Sequence, residues 1–124
     1  VEAFIGLAES DNSIIAASAV STSNQIGWSS VTDDGVLLFD CEKATANATS
    51  AATTIVSDTW VKLGFFYDGV ADTIQQYING VATGSAVATA NIPIVALYPS
   101  FVCQSAGTDQ PVLHLRPYRI FQLL

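Results

Sequence analysis

The chain has 124 residues, of which 50% are hydrophobic and 12% are charged. This length predicts one domain spanning residues 1–124. Eleven acidic against four basic residues give a net charge of −7, which argues against nucleic acid and anionic membrane as partners, because both attract clustered Lys and Arg. No apolar run approaches the roughly 18 residues of a transmembrane helix.

Nine short runs predict β-strands, because Gly, Asn, Asp, Ser or Pro separate them and no window has sustained helical periodicity. In chain order the runs are Val1–Ala8, Gln25–Ser29, Val36–Lys43, Thr53–Val56, Trp60–Tyr67, Thr73–Ile78, Val81–Thr89, Ala96–Gln104 and Val112–Leu123. This spacing predicts an all-β fold, a two-sheet antiparallel β-sandwich.

Two segments between these runs have other patterns. Asp11–Ala17 could hold one helical turn capped by Asp11 or Ser13, although the Ile14-Ile15 pair favours a loop tucked onto the core. Residues 44–52 have the sequence ATANATSAA. Because these side chains are small, uncharged and of low complexity, we expect a mobile hairpin tip.

Residues 60–81 contain three consecutive antiparallel strands. Asp68-Gly69 marks the first turn, since Gly tolerates positive φ. Asn79-Gly80 marks the second and favours a type I′ hairpin with positive φ at both residues. The residues expected to stabilise these strands and turns are Trp60, Leu63, Phe65, Tyr67, Asp68, Gly69, Tyr77, Asn79 and Gly80.

Alternation along Trp60–Tyr67 assigns its two faces. Val61, Leu63, Phe65 and Tyr67 share the face that we expect to form the core, with Leu63 and Phe65 fully buried. Trp60 and Phe66 lie on the opposite face. Because that face is also aromatic, we expect it to be covered too and Trp60 to be a core residue.

Cys41 and Cys103 are the only cysteines, and each lies in an apolar run. Such sites favour buried free thiols, and one inter-strand disulfide remains the alternative.

Catalytic and metal-binding patterns are missing from the sequence. Hydrolysis of a glycosidic bond needs carboxylates at a set separation, but Glu9 and Asp11 are followed by Ile14 and not by a further acid. Asp33-Asp34 and the Asp68/Asp72 pair could supply calcium ligands, although such residues are usually turn residues that bond their own backbone. The sequence therefore predicts a protein that is not an enzyme and has no metal or cofactor.

A glycan site needs an exposed aromatic platform with amide or carboxylate neighbours. Trp28 and Tyr98 are the candidate platforms. For Trp28, a buried position in the core is an alternative of equal weight to the platform role.

A family resemblance rests on the order of several short motifs. They are Phe4–Glu9 followed by Asp11, Ile26-Gly27-Trp28, Leu38–Lys43, the Trp60-led strand with Tyr67-Asp68-Gly69, Tyr77–Val81, Asn91-Ile92-Pro93 and Tyr118–Gln122. In this order the chain resembles the concanavalin A-like lectin/glucanase family, with its laminin-G-like and pentraxin-like jelly rolls. It is similar in particular to a subgroup found in structural proteins of tailed phages.

That resemblance implies a jelly roll that is a non-enzymatic structural protein of a virion, such as a capsid decoration protein. Its partners would be other copies of itself and capsid or other virion proteins, and it would lie on the particle surface after assembly in the host cytoplasm. Resembling domains carry further strands ahead of Val1, so upstream residues or a neighbouring chain are expected to supply them. The alternative function is a carbohydrate-binding module for host-surface glycans.

Overall fold

The structure is a computed structural model that describes residues 2–10, 13–16, 19–21, 23–32, 34–44, 46–56, 58–105, 108, 112–116 and 118–120. Its strands are β1 (Glu2–Ala8), β2 (Ile15–Ala16), β3 (Ala19–Val20), β4 (Gln25–Ser30), β5 (Val36–Lys43), β6 (Ala46–Thr54), β7 (Leu63–Asp68), β8 (Thr73–Ile78), β9 (Val81–Ala88) and β10 (Tyr98–Gln104). A 3₁₀ turn at Thr89–Asn91 precedes β10. Among these segments, none is a helix that could span a membrane.

Two antiparallel sheets form the sandwich that the sequence predicts. The larger sheet has the order β10-β1-β4-β5-β6, the smaller has the order β7-β8-β9, and β2 and β3 form a separate pair. The bounds predicted for β5 and β8 are confirmed, and those of β1, β4, β9 and β10 are correct to within two residues.

The main core lies between the two sheets. Its buried members from the larger sheet are Ile26, Trp28, Leu37, Phe39, Cys41 and Ala51, and Ile74 and Val87 face them from the smaller sheet. Trp28 packs edge-on against Phe39 with ring centroids 5.3 Å apart. This core lies over β4, β5 and β6 and takes no residue from β1 or β10.

A second apolar cluster covers the opposite face of the larger sheet. Phe4 and Ala8 of β1 pack there against Ile14 and Ile15, which are both buried. Ile14 and Ile15 therefore tuck onto the core as expected, in a segment that leads into the short strand β2.

The β8–β9 hairpin turns where the sequence predicts. Ile78 pairs with Val81 across the turn, and Asn79 and Gly80 have φ values of 53° and 83°. The Asn79 side chain contacts the residue just before β7, because its Oδ1 accepts a hydrogen bond from the Lys62 backbone N–H at 2.9 Å. Asp68 fixes the β7–β8 turn, since its Oδ1 accepts the backbone N–H groups of Val70 and Ala71.

The prediction of a loop at residues 44–52 is wrong, because β6 begins at Ala46 and pairs with β5 along its length. The small side chains of this segment serve close packing between strands instead. A Cβ added to Gly84 of β9 would collide with the carbonyl oxygen of Ser50. The two edge strands can therefore approach only because small residues line both. The predicted strand Thr53–Val56 is the end of β6 followed by exposed residues.

The face of β7 that was predicted to point toward the core does so, but the prediction that its residues are fully buried is wrong. Leu63 and Phe65 pack against the core yet remain partly exposed. Tyr67 is 49% exposed and Phe66 is 47% exposed, so the second face is not covered. Trp60 is no core residue either, since 54% of its surface is exposed and β7 begins only at Leu63.

The predicted strand Val112–Leu123 is wrong over the residues that the structure describes, because 112–116 and 118–120 have no strand pairing. These residues find no sheet neighbour within the described chain. Residues 117 and 121–124 lie outside the described part.

Both cysteines are free thiols. Cys41 lies on β5 and Cys103 on β10, with β4 and β1 between them. Three strand spacings amount to about 14 Å, roughly twice the reach of a disulfide. The alternative of one inter-strand bridge is therefore excluded in this fold.

Candidate functional site

A cleft of about 430 Å³ opens between the two sheets at the end where β7 turns into β8. Its lining consists of Leu7 and Ile26 from the larger sheet, Phe65, Tyr67, Asp72 and Ile74 from the smaller sheet and its turn, and Thr89, Ile92, Pro93 and Ile94 from the segment that leads to β10. We call it the inter-sheet cleft.

The floor of the inter-sheet cleft is apolar and its rim is polar. Ile26, Ile74 and Ile92 are buried at the floor. At the rim the Tyr67 hydroxyl donates a hydrogen bond of 2.7 Å to Asp72 Oδ1. Thr89 donates its hydroxyl to the Asp72 backbone carbonyl at 3.0 Å. An aromatic ring and a carboxylate are thus held side by side at the entrance.

Hydrogen bonding sets the charge at this rim. The hydroxyl of Tyr67 lowers the pKa of Asp72, with smaller contributions in the same direction from Thr89 and from the positive charge of Lys43. The same bond raises the pKa of Tyr67. At neutral pH the rim therefore presents an anionic acceptor beside a neutral phenol.

The backbone of Asp72 contributes to this geometry. Its φ is 53°, in the left-handed region that Asp and Asn tolerate better than other non-glycine residues. The turn of residues 69–72 thus points the carboxylate back toward Tyr67 on the strand that precedes it.

A row of polar side chains on the opposite face of the larger sheet is a second feature. Asp40 and Glu42 share one face of β5, about 7 Å apart along the strand, and each is at most 6% exposed. Ser29 and Thr49 donate hydroxyl hydrogen bonds to Asp40, while Gln25 and Asn47 donate to Glu42. We call this row the β5 carboxylate row.

Sequence reasoning missed the β5 carboxylate row. The signal was the alternation Asp40-Cys41-Glu42 inside a correctly predicted strand, which places two carboxylates on one face. Sugar hydrolysis also uses a pair of carboxylates. Both side chains are nevertheless buried and engaged with neighbouring strands, and neither lines the inter-sheet cleft. In this structure they tie β4, β5 and β6 together.

The two predicted platform residues differ in burial. Trp28 is 1% exposed and faces the core, so the prediction of Trp28 as a glycan platform is wrong. The alternation of β4 directs Ile26 and Trp28 inward together. Tyr98 is 55% exposed at the start of β10, outside the lining of the inter-sheet cleft, and its role in glycan binding stays a prediction.

The acidic residues weighed for chemistry occupy turns and loops. Glu9 accepts a hydrogen bond from the Asn24 side chain at 2.8 Å. Asp34 accepts the Val36 backbone N–H and the Thr32 hydroxyl, as expected for a turn residue. Asp11 and Asp33 lie outside the described residues. Within the described ranges, no three His, Cys, Asp or Glu side chains converge as a metal site would require.

Two facing antiparallel sheets of five and three strands define the chain as a β-sandwich protein. A family model described as the concanavalin A-like lectin/glucanases superfamily matches residues 1–113. The chain therefore belongs to this superfamily, which includes non-enzymatic lectins as well as glucanases. No curated protein and no solved structure gives a match.

Proposed function

We propose that the chain is a non-enzymatic carbohydrate-binding module that holds a sugar at the inter-sheet cleft. The observation that carries this proposal is the half-exposed Tyr67 ring, fixed by its hydroxyl to the ionised Asp72 at the rim of an apolar cleft. Sugars present apolar C–H faces that stack on aromatic rings and hydroxyl groups that donate to carboxylates. Tyr67 and Asp72 offer one partner for each.

The charge and size of the site restrict the ligand. The chain has a net charge of −7 and the rim itself carries a carboxylate, so sugars with sulfate, carboxylate or phosphate groups are disfavoured. A cleft of about 430 Å³ lies within the usual range of roughly 300–1,000 Å³ for small-ligand sites. We therefore expect a short, neutral glycan.

The experiment compares two exposed tyrosines. Binding to a panel of neutral and acidic glycans is measured by calorimetry for the wild type, Tyr67→Ala and Tyr98→Ala. We expect Tyr67→Ala to abolish binding of the selected neutral glycan and Tyr98→Ala to leave it unchanged. Loss of binding in Tyr98→Ala alone would move the site to β10 and overturn the cleft proposal.

A further variant separates the two parts of the rim. Tyr67→Phe keeps the aromatic ring and removes the hydrogen bond to Asp72. If the ring stacks on the sugar while Asp72 accepts a hydrogen bond from a sugar hydroxyl, Tyr67→Phe should weaken binding less than Tyr67→Ala does. Equal loss in both would show that the carboxylate orientation, and not the ring, provides the contact.

A second candidate function is a structural part of a virion, as the resemblance to tailed-phage proteins implies. The observation that favours an assembly role is the number of exposed large apolar side chains, including Trp60, Phe66, Val81, Ile94 and Tyr118. Apolar surface of this extent favours burial against other chains. A virion component should co-purify with intact particles through a density gradient and stay with them in high salt, whereas its recovery only in the free protein fraction would contradict this role.

A further inference from the structure

The segment after β10 differs from the rest of the chain in charge and exposure. Residues 112–116 and 118–120, called here the C-terminal arm, hold Val112, Leu115, Tyr118 and Ile120, each at least 46% exposed. The arm also holds Arg116 and Arg119, half of all basic residues in the chain. All 11 acidic residues and the two lysines precede it, so residues 1–111 carry a formal net charge of −9. The arm and the sandwich are therefore opposite in charge.

A surface suited to an extended segment lies along β10. This strand is at the end of the larger sheet and pairs only with β1 among the described strands. Beside it is a groove of about 390 Å³, lined by Ile14, Ile15, Pro99–Val102 and Gln104. We call it the β10 groove. Among the described strands the other edge of β10 has no ladder partner, so an added strand would find backbone groups to pair with there and apolar side chains next to them.

Within one copy the arm does not lie along this strand. The Arg116 guanidinium lies over the Trp60 ring, 4.4 Å from its centroid, near the start of β7 in the smaller sheet. Tyr118 contacts Phe101 of β10 with ring centroids 5.0 Å apart. The arm thus reaches from the segment before β7 to β10. Its large apolar side chains remain exposed and its backbone has no strand pairing.

We propose that the C-terminal arm docks on a second copy of this chain, where it adds as a strand to the free edge of β10 and places apolar side chains in the β10 groove. The arm has the apolar residues of the predicted strand but none of the strand pairing. Its two arginines would lie against a sandwich of opposite net charge, which favours this contact. The contact of Tyr118 with Phe101 shows that β10 accepts an aromatic residue of the arm. This proposal is independent of glycan binding at the inter-sheet cleft.

The first experiment measures mass in solution by light scattering and sedimentation over a range of protein concentrations. We expect the wild type to dimerise, and the same chain with Leu115→Ser and Ile120→Ser, both exposed in one copy, to be a folded monomer. A wild type that stays monomeric, or a double variant that dimerises as tightly, would overturn the proposal.

Matched charge reversals test the electrostatic part. Arg119→Glu changes the arm, whereas Lys62→Glu makes the same change at an exposed residue of the sandwich. At low salt we expect Arg119→Glu to weaken dimerisation about tenfold or more, because like charges then face each other. Lys62→Glu should leave it unchanged, and the difference should shrink in 0.5 M salt. Equal effects of both variants would show that net charge alone governs association.

Cross-linking distinguishes contact between copies from contact within one copy. A tagged variant with Cys103→Ser and either Leu115→Cys or Ile120→Cys is mixed with the untagged wild type and oxidised mildly. Its new thiol can meet Cys103 only in another copy, so a tagged–untagged disulfide dimer is the expected product for at least one variant. Failure of both variants to form it would exclude β10 as the docking strand.

Discussion

At the residue scale, burial decides the chemistry of the two cysteines. Cys41 faces the main core and donates a hydrogen bond to the Asn91 carbonyl at 3.1 Å. Burial raises the pKa of its thiol to about 12, and the negative charge of Asp40 acts in the same direction. Because the thiolate is the reactive form, Cys41 is protected in the folded protein, whereas Cys103 is only partly buried at the sheet edge.

The first prediction is therefore that one thiol reacts and the other does not. At pH 8, a thiol reagent should modify Cys103 in the native protein, and Cys41 should react only after unfolding in denaturant. Peptide mapping by mass spectrometry identifies the modified residue. Rapid modification of Cys41 in native protein would show that the core over β5 opens on the timescale of the reaction.

Glu42 provides a second prediction, because burial raises the pKa of its carboxyl in the fold while Asn47 and Gln25 partly oppose that shift. A raised pKa means that the ionised form is the less stable one in the folded state. This cost is absent below the ordinary pKa of about 4.3 and is fully present once pH exceeds the folded value. Glu42→Gln should therefore gain stability relative to the wild type as pH rises from 4 to 7.

Asp68→Asn is the matched control for this effect. Hydrogen bonds from the Ala71 and Val70 backbone N–H groups lower the pKa of Asp68, so its ionised form stabilises the fold and this stability is lost on acidification. Asp68→Asn should lose stability relative to the wild type as pH rises toward and past the ordinary Asp pKa of about 3.9. Urea unfolding from about pH 2 to pH 7 measures both differences. The same sign for both variants would contradict the assigned causes.

At the element scale, two hairpins organise the smaller sheet, and backbone conformation determines the second of them. Gly80 and Gly64 both have open space where a Cβ would lie, but only Gly80 has a positive φ, of 83°. The pair therefore separates backbone strain from steric collision. Asn79 supports the same turn through its hydrogen bonds with Lys62.

We predict that Gly80→Val destabilises the protein by about 1 kcal/mol or more, since a β-branched residue is strained at positive φ. Gly64→Val, on a partly buried strand position with open space for a side chain, should be neutral or slightly stabilising, because Val favours strands. Thermal or urea unfolding gives both values. A neutral Gly80→Val would show that the hairpin turns at other residues in solution.

Packing between the sheets gives a graded prediction. Phe39 is fully buried and touches both Trp28 and Phe65, whose ring centroid lies 5.6 Å from its own. Phe39→Ala should cost about 3–5 kcal/mol, the usual range for a buried Phe. Phe65→Ala should cost distinctly less, because Phe65 already contacts solvent in the native state. A reversed order in urea unfolding would contradict the burial of these two strands.

At the scale of the whole molecule, the described part of the chain closes the sandwich on one side and leaves it open on the other. Close approach of β6 and β9 closes the first side, where a Cβ at Gly84 would meet the Ser50 carbonyl. On the other side the core takes no residue from β1 or β10, and Phe101 is 37% exposed. The expectation that further strands or a neighbouring chain complete this side stays a prediction.

For the molecule as a whole, we predict that it cleaves no glycan. Incubation with β-glucans and other polysaccharides should release no reducing sugar, because Asp40 and Glu42 are buried and bonded to neighbouring strands. Release of sugar that disappears in Glu42→Gln would make the β5 carboxylate row catalytic and would overturn the non-enzymatic function. Glu9→Gln serves as the control, since Glu9 lies outside the row.

The sequence alone determined those parts of the protein that depend on residues close together in the chain. The Asn79-Gly80 turn follows from local backbone preference, and the strands Val36–Lys43 and Thr73–Ile78 follow from alternation and flanking turn residues. The all-β sandwich then follows from repeating such strands at short intervals. The Asp34 and Asp68 turns were likewise predictable, because their hydrogen bonds reach only two or three residues along the chain.

Contacts between residues far apart in the chain decided the rest, and only the tertiary structure shows them. Residues 46–54 form a strand because β5 offers a partner and β9 requires small neighbours, neither of which local composition reveals. Trp28 is buried because β7 and β8 cover its side of the sheet. Tyr67 and Asp72 form the rim of the inter-sheet cleft only because Thr89–Ile94 lines the same cleft from a distant part of the chain. The C-terminal arm was predicted as a strand but has no strand pairing among the described residues, because pairing depends on where the chain lies in the fold and not on composition alone.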